Sequence, residues 1–274
     1  NTRKMKGRCS MRKDFFAIGR KHCAVITGAS SGIGAEFARI LSKRGTFVIL
    51  SGRNVDALNK LRDEIGKDRC TVIPADLTST KNCIDLYAKT KKYDPDILIN
   101  NAGFGVFGDF TETSLSKELE MIDVNIKAMH TLFKLYTKDF VKKDRGYILN
   151  VGSSAGLLPG PHMSAYYSSK SYVIRQTQAV YEELRRKKSH VHVSVLCPGP
   201  VQTEFNKRAG IENIISKGIT PRKCAVYALK KMRENKLMIL PTLPVKLLDI
   251  AVRLAPAEIL AFGAGIFMMG KKKI

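Results

Sequence analysis

Short apolar runs and amphipathic stretches alternate along this chain in strict order. The runs at 23–27, 46–51, 70–75, 96–100, 146–152, 191–197 and 237–240 are rich in Val, Ile, Leu and Ala with little polar alternation, as expected of strands buried on both faces. The stretches between them, 32–43, 55–65, 79–92, 115–142, 164–188 and 221–234, carry apolar residues at helical spacing. Parallel strands joined by right-handed helical crossovers make a doubly wound parallel sheet, a three-layer α/β/α arrangement. No repeat, low-complexity tract or polar linker divides the 274 residues, 44% of them hydrophobic, so one domain with a full core is expected. Its expected bounds are 23–242, after a basic segment at 1–22 and before an apolar helical extension at 243–274.

The residues with chemical character fall just after the strands. Gly28, Arg53, Asp76, Asn101, Ser153 and Pro198 each follow one, where ligands gather in sheets of this kind. The first turn reads Thr27-Gly28-Ala29-Ser30-Ser31-Gly32-Ile33-Gly34. Glycines let a backbone approach a pyrophosphate, and the helix that follows offers free N–H groups and the positive end of its dipole. Such a turn alone is equally a tight loop with no ligand. Far downstream, Tyr166 and Lys170 stand four apart, so on a helix the phenol and the ammonium share a face. A proton donor beside a cation, together with a dinucleotide cradle, indicates carbonyl chemistry.

The GxxxGxG spacing at 28–34, Asn100-Asn101-Ala102-Gly103, Asn125, Ser153 and Tyr166-x-x-x-Lys170 occur in that order. The set resembles the short-chain dehydrogenase/reductase (SDR) family over about residues 23–240. The resemblance implies a Rossmann-type fold, a nicotinamide cofactor and hydride transfer between a ketone and a secondary alcohol. It implies roles too: Tyr166 as proton donor and acceptor, and Lys170 as its acidifying neighbour and ribose ligand. Ser153, thirteen residues before Tyr166, is the serine on the substrate oxygen, with Ser154 as runner-up, and Asn125 holds a water in the proton relay. A cation within about 4–6 Å lowers a phenol's pKa by about 1–3 units. Tyr167, about 100° further round the helix, is expected to pack.

Cofactor choice is read at the end of the second strand, where Leu50-Ser51-Gly52-Arg53-Asn54 lacks the carboxylate that would bond an NAD ribose. Arg53 suits a 2′-phosphate by charge and forked geometry, so NADP(H) is favoured over NAD(H). The resemblance places Asp76 and Leu77 beside the adenine, with capping of the next helix as the alternative for Asp76. It places Asn101, Ala102 and Gly103 along the adenine ribose and sheet centre, and Ser30, Ser31 and Ile33 in the phosphate turn. Pro198, Val201 and Thr203 embrace the nicotinamide, and 204–220 stands where relatives carry a substrate lid. His162 and Met163 face the same region.

The net charge is +23, and the first 21 residues hold eight basic side chains against Asp14 alone. Solubility, an anionic membrane surface, nucleic acid and acidic ligands are all consistent with such charge. No aromatic-interleaved basic motif accompanies it, so nucleic acid is not expected. The opening has no apolar core of a secretory signal, and the six cysteines stand singly, so a reducing, cytoplasmic setting is expected without disulfides. No metal site is expected, although His190 and His192 would share a strand face. At the other end, 245–254 is amphipathic, with Lys246, Asp249 and Arg253 on one face and Leu247, Leu248, Ile250, Ala251 and Leu254 on the other. An uncharged run at 259–270 precedes Lys271 to Lys273 and is too short to span a bilayer. Peripheral docking on a membrane surface, a hydrophobic lid over a lipid-like substrate, and a subunit interface each suit this pattern. The expected protein is an NADP(H)-dependent reductase of an apolar ketone (3-oxoacyl, steroid or other lipid-like), pairing as a dimer or tetramer through the two long helices. The alternatives are a dinucleotide-binding regulatory or scaffold protein, and a basic nucleic-acid binder.

Overall fold

The computed structural model describes residues 22–211 and 218–269. The basic residues through Lys21, the middle of the expected lid at 212–217 and Lys271 to Lys273 lie outside the described residues. Seven strands form one parallel sheet in the order β3-β2-β1-β4-β5-β6-β7. They are β1 (Cys23–Thr27), β2 (Phe47–Ser51), β3 (Cys70–Val72), β4 (Ile97–Asn100), β5 (Gly146–Val151), β6 (Val191–Leu196) and β7 (Met238–Ile239). The expected third and seventh strands are thus shortened, the third at Pro74, which cannot donate to a ladder.

Strand β1 is buried throughout, and its pleat divides the side chains between two cores. Ala24 and Ile26 join Phe37, Leu41, Leu58 and Leu229 on one side. Cys23 and Val25 join Leu86, Leu132, Phe133 and Tyr136 on the other. The first side is covered by α1 (Gly32–Lys43), α2 (Val55–Ile65) and α8 (Pro221–Arg233), the second by α3 (Thr80–Thr90), α5 (Met129–Lys142) and α6 (Ser164–Arg186). Each apolar run must therefore satisfy two layers, which is why it reads as continuous rather than alternating.

The helix expected at 115–142 is interrupted. It begins as α4 (Leu115–Ile122), widens into a π turn over Asp123–Ala128, and resumes as α5. Beyond β6 come the short α7 (Phe205–Arg208), then α8, α9 (Leu243–Ala251) and α10 (Ala257–Met269). Strand β1 pairs with both β2 and β4, so the winding direction reverses between β1 and β4. Loops diverge at that switch point and leave a crevice at the carboxyl ends of the strands.

Candidate active site

The crevice begins with a turn that only glycine can make. Gly28 has a φ of 63°, and a Cβ there would stand 2.9 Å from the Ala102 Cα. At Gly34 a Cβ would meet the Gly28 carbonyl oxygen at 2.3 Å, so the first turn of α1 lies directly on the loop before it. Asn101 holds the turn from across the switch point, its Nδ2 donating to the carbonyls of Thr27 (3.0 Å) and Gly28 (3.1 Å). The Thr27 hydroxyl in turn accepts from the N–H groups of Asn101 and Ala102. Asn101 is thereby a brace for the glycine turn, a role its position after β4 does not by itself announce.

Tyr166 and Lys170 lie in the first two turns of α6 and are both buried. The Lys170 Nζ is 5.8 Å from the Tyr166 ring centroid and donates to the Val151 carbonyl at the end of β5 (3.1 Å). Asn125 sits within the π turn and is fixed from three directions. Its Oδ1 accepts from the Phe104 N–H (3.1 Å), and its Nδ2 donates to the Phe104 carbonyl (2.9 Å) and to Ser169 Oγ (3.0 Å). Ser169 donates onward to the Tyr166 carbonyl. Gly103 is where these groups converge: a Cβ there would lie 2.8 Å from Asn125 Oδ1 and 3.1 Å from Lys170 Nζ. Ser153 follows β5, accepts from the Ala155 N–H (3.1 Å) and lies within hydrogen-bonding reach of the Tyr166 phenol. Ser154 instead is tied by its backbone N–H to the Pro198 carbonyl.

Burial sets the resting protonation of the pair. It pushes the Tyr166 phenol up to about 12, with the nearby Ser153 hydroxyl pulling the other way, and brings Lys170 down to about 8. Desolvation, not the acidification expected from Lys170, therefore dominates at Tyr166. A neutral phenol is the form that can donate a proton, so this state suits reduction of a carbonyl. Tyr167 packs against Gly160, as expected, and also lines the cavity.

A cavity of about 730 Å³ opens over this floor. Gly28, Ser30, Ser31, Gly32 and Ile33 line one end, Asn101, Ala102 and Gly103 one wall, and Ser153, Tyr166 and Lys170 the floor. Pro198, Val201 and Thr203 border it from beyond β6, with a methyl of Thr203 over Gly32. Gly34 and Asn125 stand behind the lining as supports. Arg53, Asp76 and Leu77 are not part of it. Arg53 is exposed and its Nη1 pairs with Glu120 Oε1 of α4 at 2.8 Å, a partner the sequence reading did not foresee. Asp76 accepts from both the N–H and the hydroxyl of Thr78, and the cap of α3 is Ser79 rather than Asp76. Leu77 is core.

The rest of the lining is largely apolar. Phe104, Leu158, Phe205 and Ile211 contribute, as does Met163, whereas the neighbouring His162 turns to Asp109 at 2.7 Å. Pro244, Val245 and Leu248 of α9 and Leu260, Ala264, Phe267 and Met268 of α10 close the far side. Met268 is fully buried in one cluster with Met163 and Tyr166. A bridge of Val201 to Ile219 ties together the two ends of 204–220. His190 binds Asp144 at 2.6 Å and the His192 ring lies on Tyr147, so the two histidines have separate partners. Among the described residues no cluster of three or more ligating side chains occurs.

Comparison with known proteins agrees with this geometry. The family model described as short chain dehydrogenase matches residues 22–213. An uncharacterized oxidoreductase of Staphylococcus aureus (strain MRSA252) is 30% identical over 226 residues, 80% of this chain and 96% of that protein. A short-chain dehydrogenase from Sphingobium yanoikuyae, solved in complex with NADPH, superposes with a TM-score of 0.77 at 28% identity, covering 85% of this chain and 94% of that one. A short-chain dehydrogenase/reductase from Burkholderia phymatum, solved with NAD, shares the fold with a TM-score of 0.78 at 24% identity over 85% of this chain and 92% of its own.

Proposed function

The chain belongs to the short-chain dehydrogenase family, and on that premise we propose that it interconverts an apolar ketone and the corresponding secondary alcohol with NADP(H). The observation that carries this reading is the group of buried Asn125, Tyr166 and Lys170 with half-buried Ser153 beneath an apolar cavity that runs to the glycine turn. The turn fits a dinucleotide: side chains are excluded at Gly28 and Gly34, and Ser31 and Gly32 bring the free N–H groups of a helix start to the cavity. Ser30 and Arg53 would take the 2′-phosphate, Arg53 turning from Glu120. When bound, the nicotinamide supplies the hydride.

The chain's own residues handle the proton and the charge. Ser153 hydrogen-bonds the substrate oxygen and stabilises the charge developing there. Tyr166 gives its phenolic proton to that oxygen and takes it back in the reverse direction. Lys170, held by the Val151 carbonyl, keeps a positive charge close to the ring as the phenolate forms. Asn125 fixes the position of the loop at Phe104 and, through Ser169, the start of α6. Phe104, Leu158, Phe205 and Phe267 favour a lipid-like substrate such as a 3-oxoacyl or steroid ketone, and residues 204–220 serve as its lid. The exposed Leu115 and Leu119 on α4 support pairing of two copies through the long helices.

The test is NADPH oxidation across a panel of apolar and polar ketones, with Tyr166→Phe measured alongside. Turnover on the apolar members and a fall in kcat of about 10²–10⁴-fold in the variant are expected. Undiminished turnover in Tyr166→Phe rejects the assignment.

A further inference from the structure

We propose that α9 and α10 form an apolar plate with two working sides, one walling the cavity and the other docking the protein on an anionic lipid surface. On the inner side Leu248, Leu260 and Phe267 line the cavity. On the outer side, Leu247 and Ile250 of α9 stand at helical spacing and so do Phe262 and Ile266 of α10, each pair on one helix face, with Leu254 in the turn between the two helices. All five are exposed, Leu254 by 83% and Phe262 by 73%, and none of the five lines the cavity. Neighbouring exposed apolar side chains on two adjacent helices mark an interaction surface rather than ordinary surface scatter.

Charge decides the occupant. The chain carries +23; Lys246 lies on α9, the exposed Arg253 follows it and pairs with Asp249, and Lys271-Lys272-Lys273 come next in the sequence after α10. A second copy seated plate to plate would set the basic side chains of this end against their own counterparts, whereas an anionic headgroup layer neutralises them. Among the described residues no helix is long and apolar enough to cross a membrane, so the plate lies on the surface with its stripe in the acyl boundary.

The experiment is co-sedimentation of the full chain with phosphatidylcholine vesicles containing about 30 mol% phosphatidylserine, against phosphatidylcholine alone. Binding is expected to the first, to weaken as salt rises, and to drop about tenfold or more in Phe262→Asp/Ile266→Asp. Leu247→Asp/Ile250→Asp repeats the test on the other helix should the first variant fold poorly, with the melting temperature and turnover of a short, water-soluble ketone as the check on folding. Binding that is absent, or unchanged in both folded variants, overturns the proposal. So does a stable dimer in light scattering that these substitutions dissolve while vesicle binding is lacking. Because sedimentation needs no turnover, loss of the catalytic reading leaves this result standing, and the reverse holds.

Discussion

The floor of the site and its adenosine rim are built on opposite principles. At the floor, Asn125 and Lys170 are buried and anchored to main-chain atoms, those of Phe104 in the loop after β4 and the Val151 carbonyl at the end of β5. At the rim, Arg53 and Asp76 are exposed and held by nearby side chains, Glu120 and Thr78. An exposed ion pair contributes only about 0.2–1 kcal/mol and yields readily to a phosphate. The difference teaches that the floor is held by the main chain, whereas the rim rests on side chains that a bound phosphate can displace.

Substitutions can break this contrast, the floor more severely than the rim. Tyr166→Phe removes the transferable proton and carries the largest loss, read in kcat. Lys170→Met follows, with kcat/KM down about a hundredfold through loss of one preorganised charge. The pH profile sharpens the case: Lys170 is charged below about 8 and neutral above it, so kcat/KM for reduction falls as pH rises through that value. Lys170→Arg keeps its cation and moves that fall upward. A profile flat through pH 8 in the parent enzyme contradicts the role given to Lys170.

At the rim the effects are smaller and confined to the nucleotide. Arg53→Ala is expected to raise the KM for NADPH about 10–100-fold, the loss of a charge-assisted hydrogen bond, with NADH little changed. Equal effects on both nucleotides contradict the 2′-phosphate contact. Glu120→Gln releases Arg53 from its competitor and should lower the KM for NADPH about two- to fivefold. No change there means that the carboxylate does not compete.

What the sequence disclosed follows the same division. Strand β1 and helices α1 and α2 have the bounds expected of them, because their apolar spacing and flanking glycines are local signals. The order of Asn101, Asn125, Ser153, Tyr166 and Lys170 likewise pointed to one crevice. Glu120 was not legible, since its partner lies 67 residues away and a surface pair leaves no local pattern. The apolar end at 243–274 left docking, lid and subunit contact open for another reason: helices apolar on several faces look the same whether a side meets core, cavity or lipid. The widening at Asp123–Ala128 had no warning either, as no Gly or Pro marks it, and π turns arise from tertiary demand.

That widening has a consequence for how the long helix tolerates change. One added residue shifts angular phase by about 100°, which lets Asn125 look toward Phe104 while Met129, Leu132, Phe133 and Tyr136 look toward the sheet. Deleting a single residue from this turn would yield a more regular helix and a poorer protein, for either the amide or the four apolar side chains would then point the wrong way.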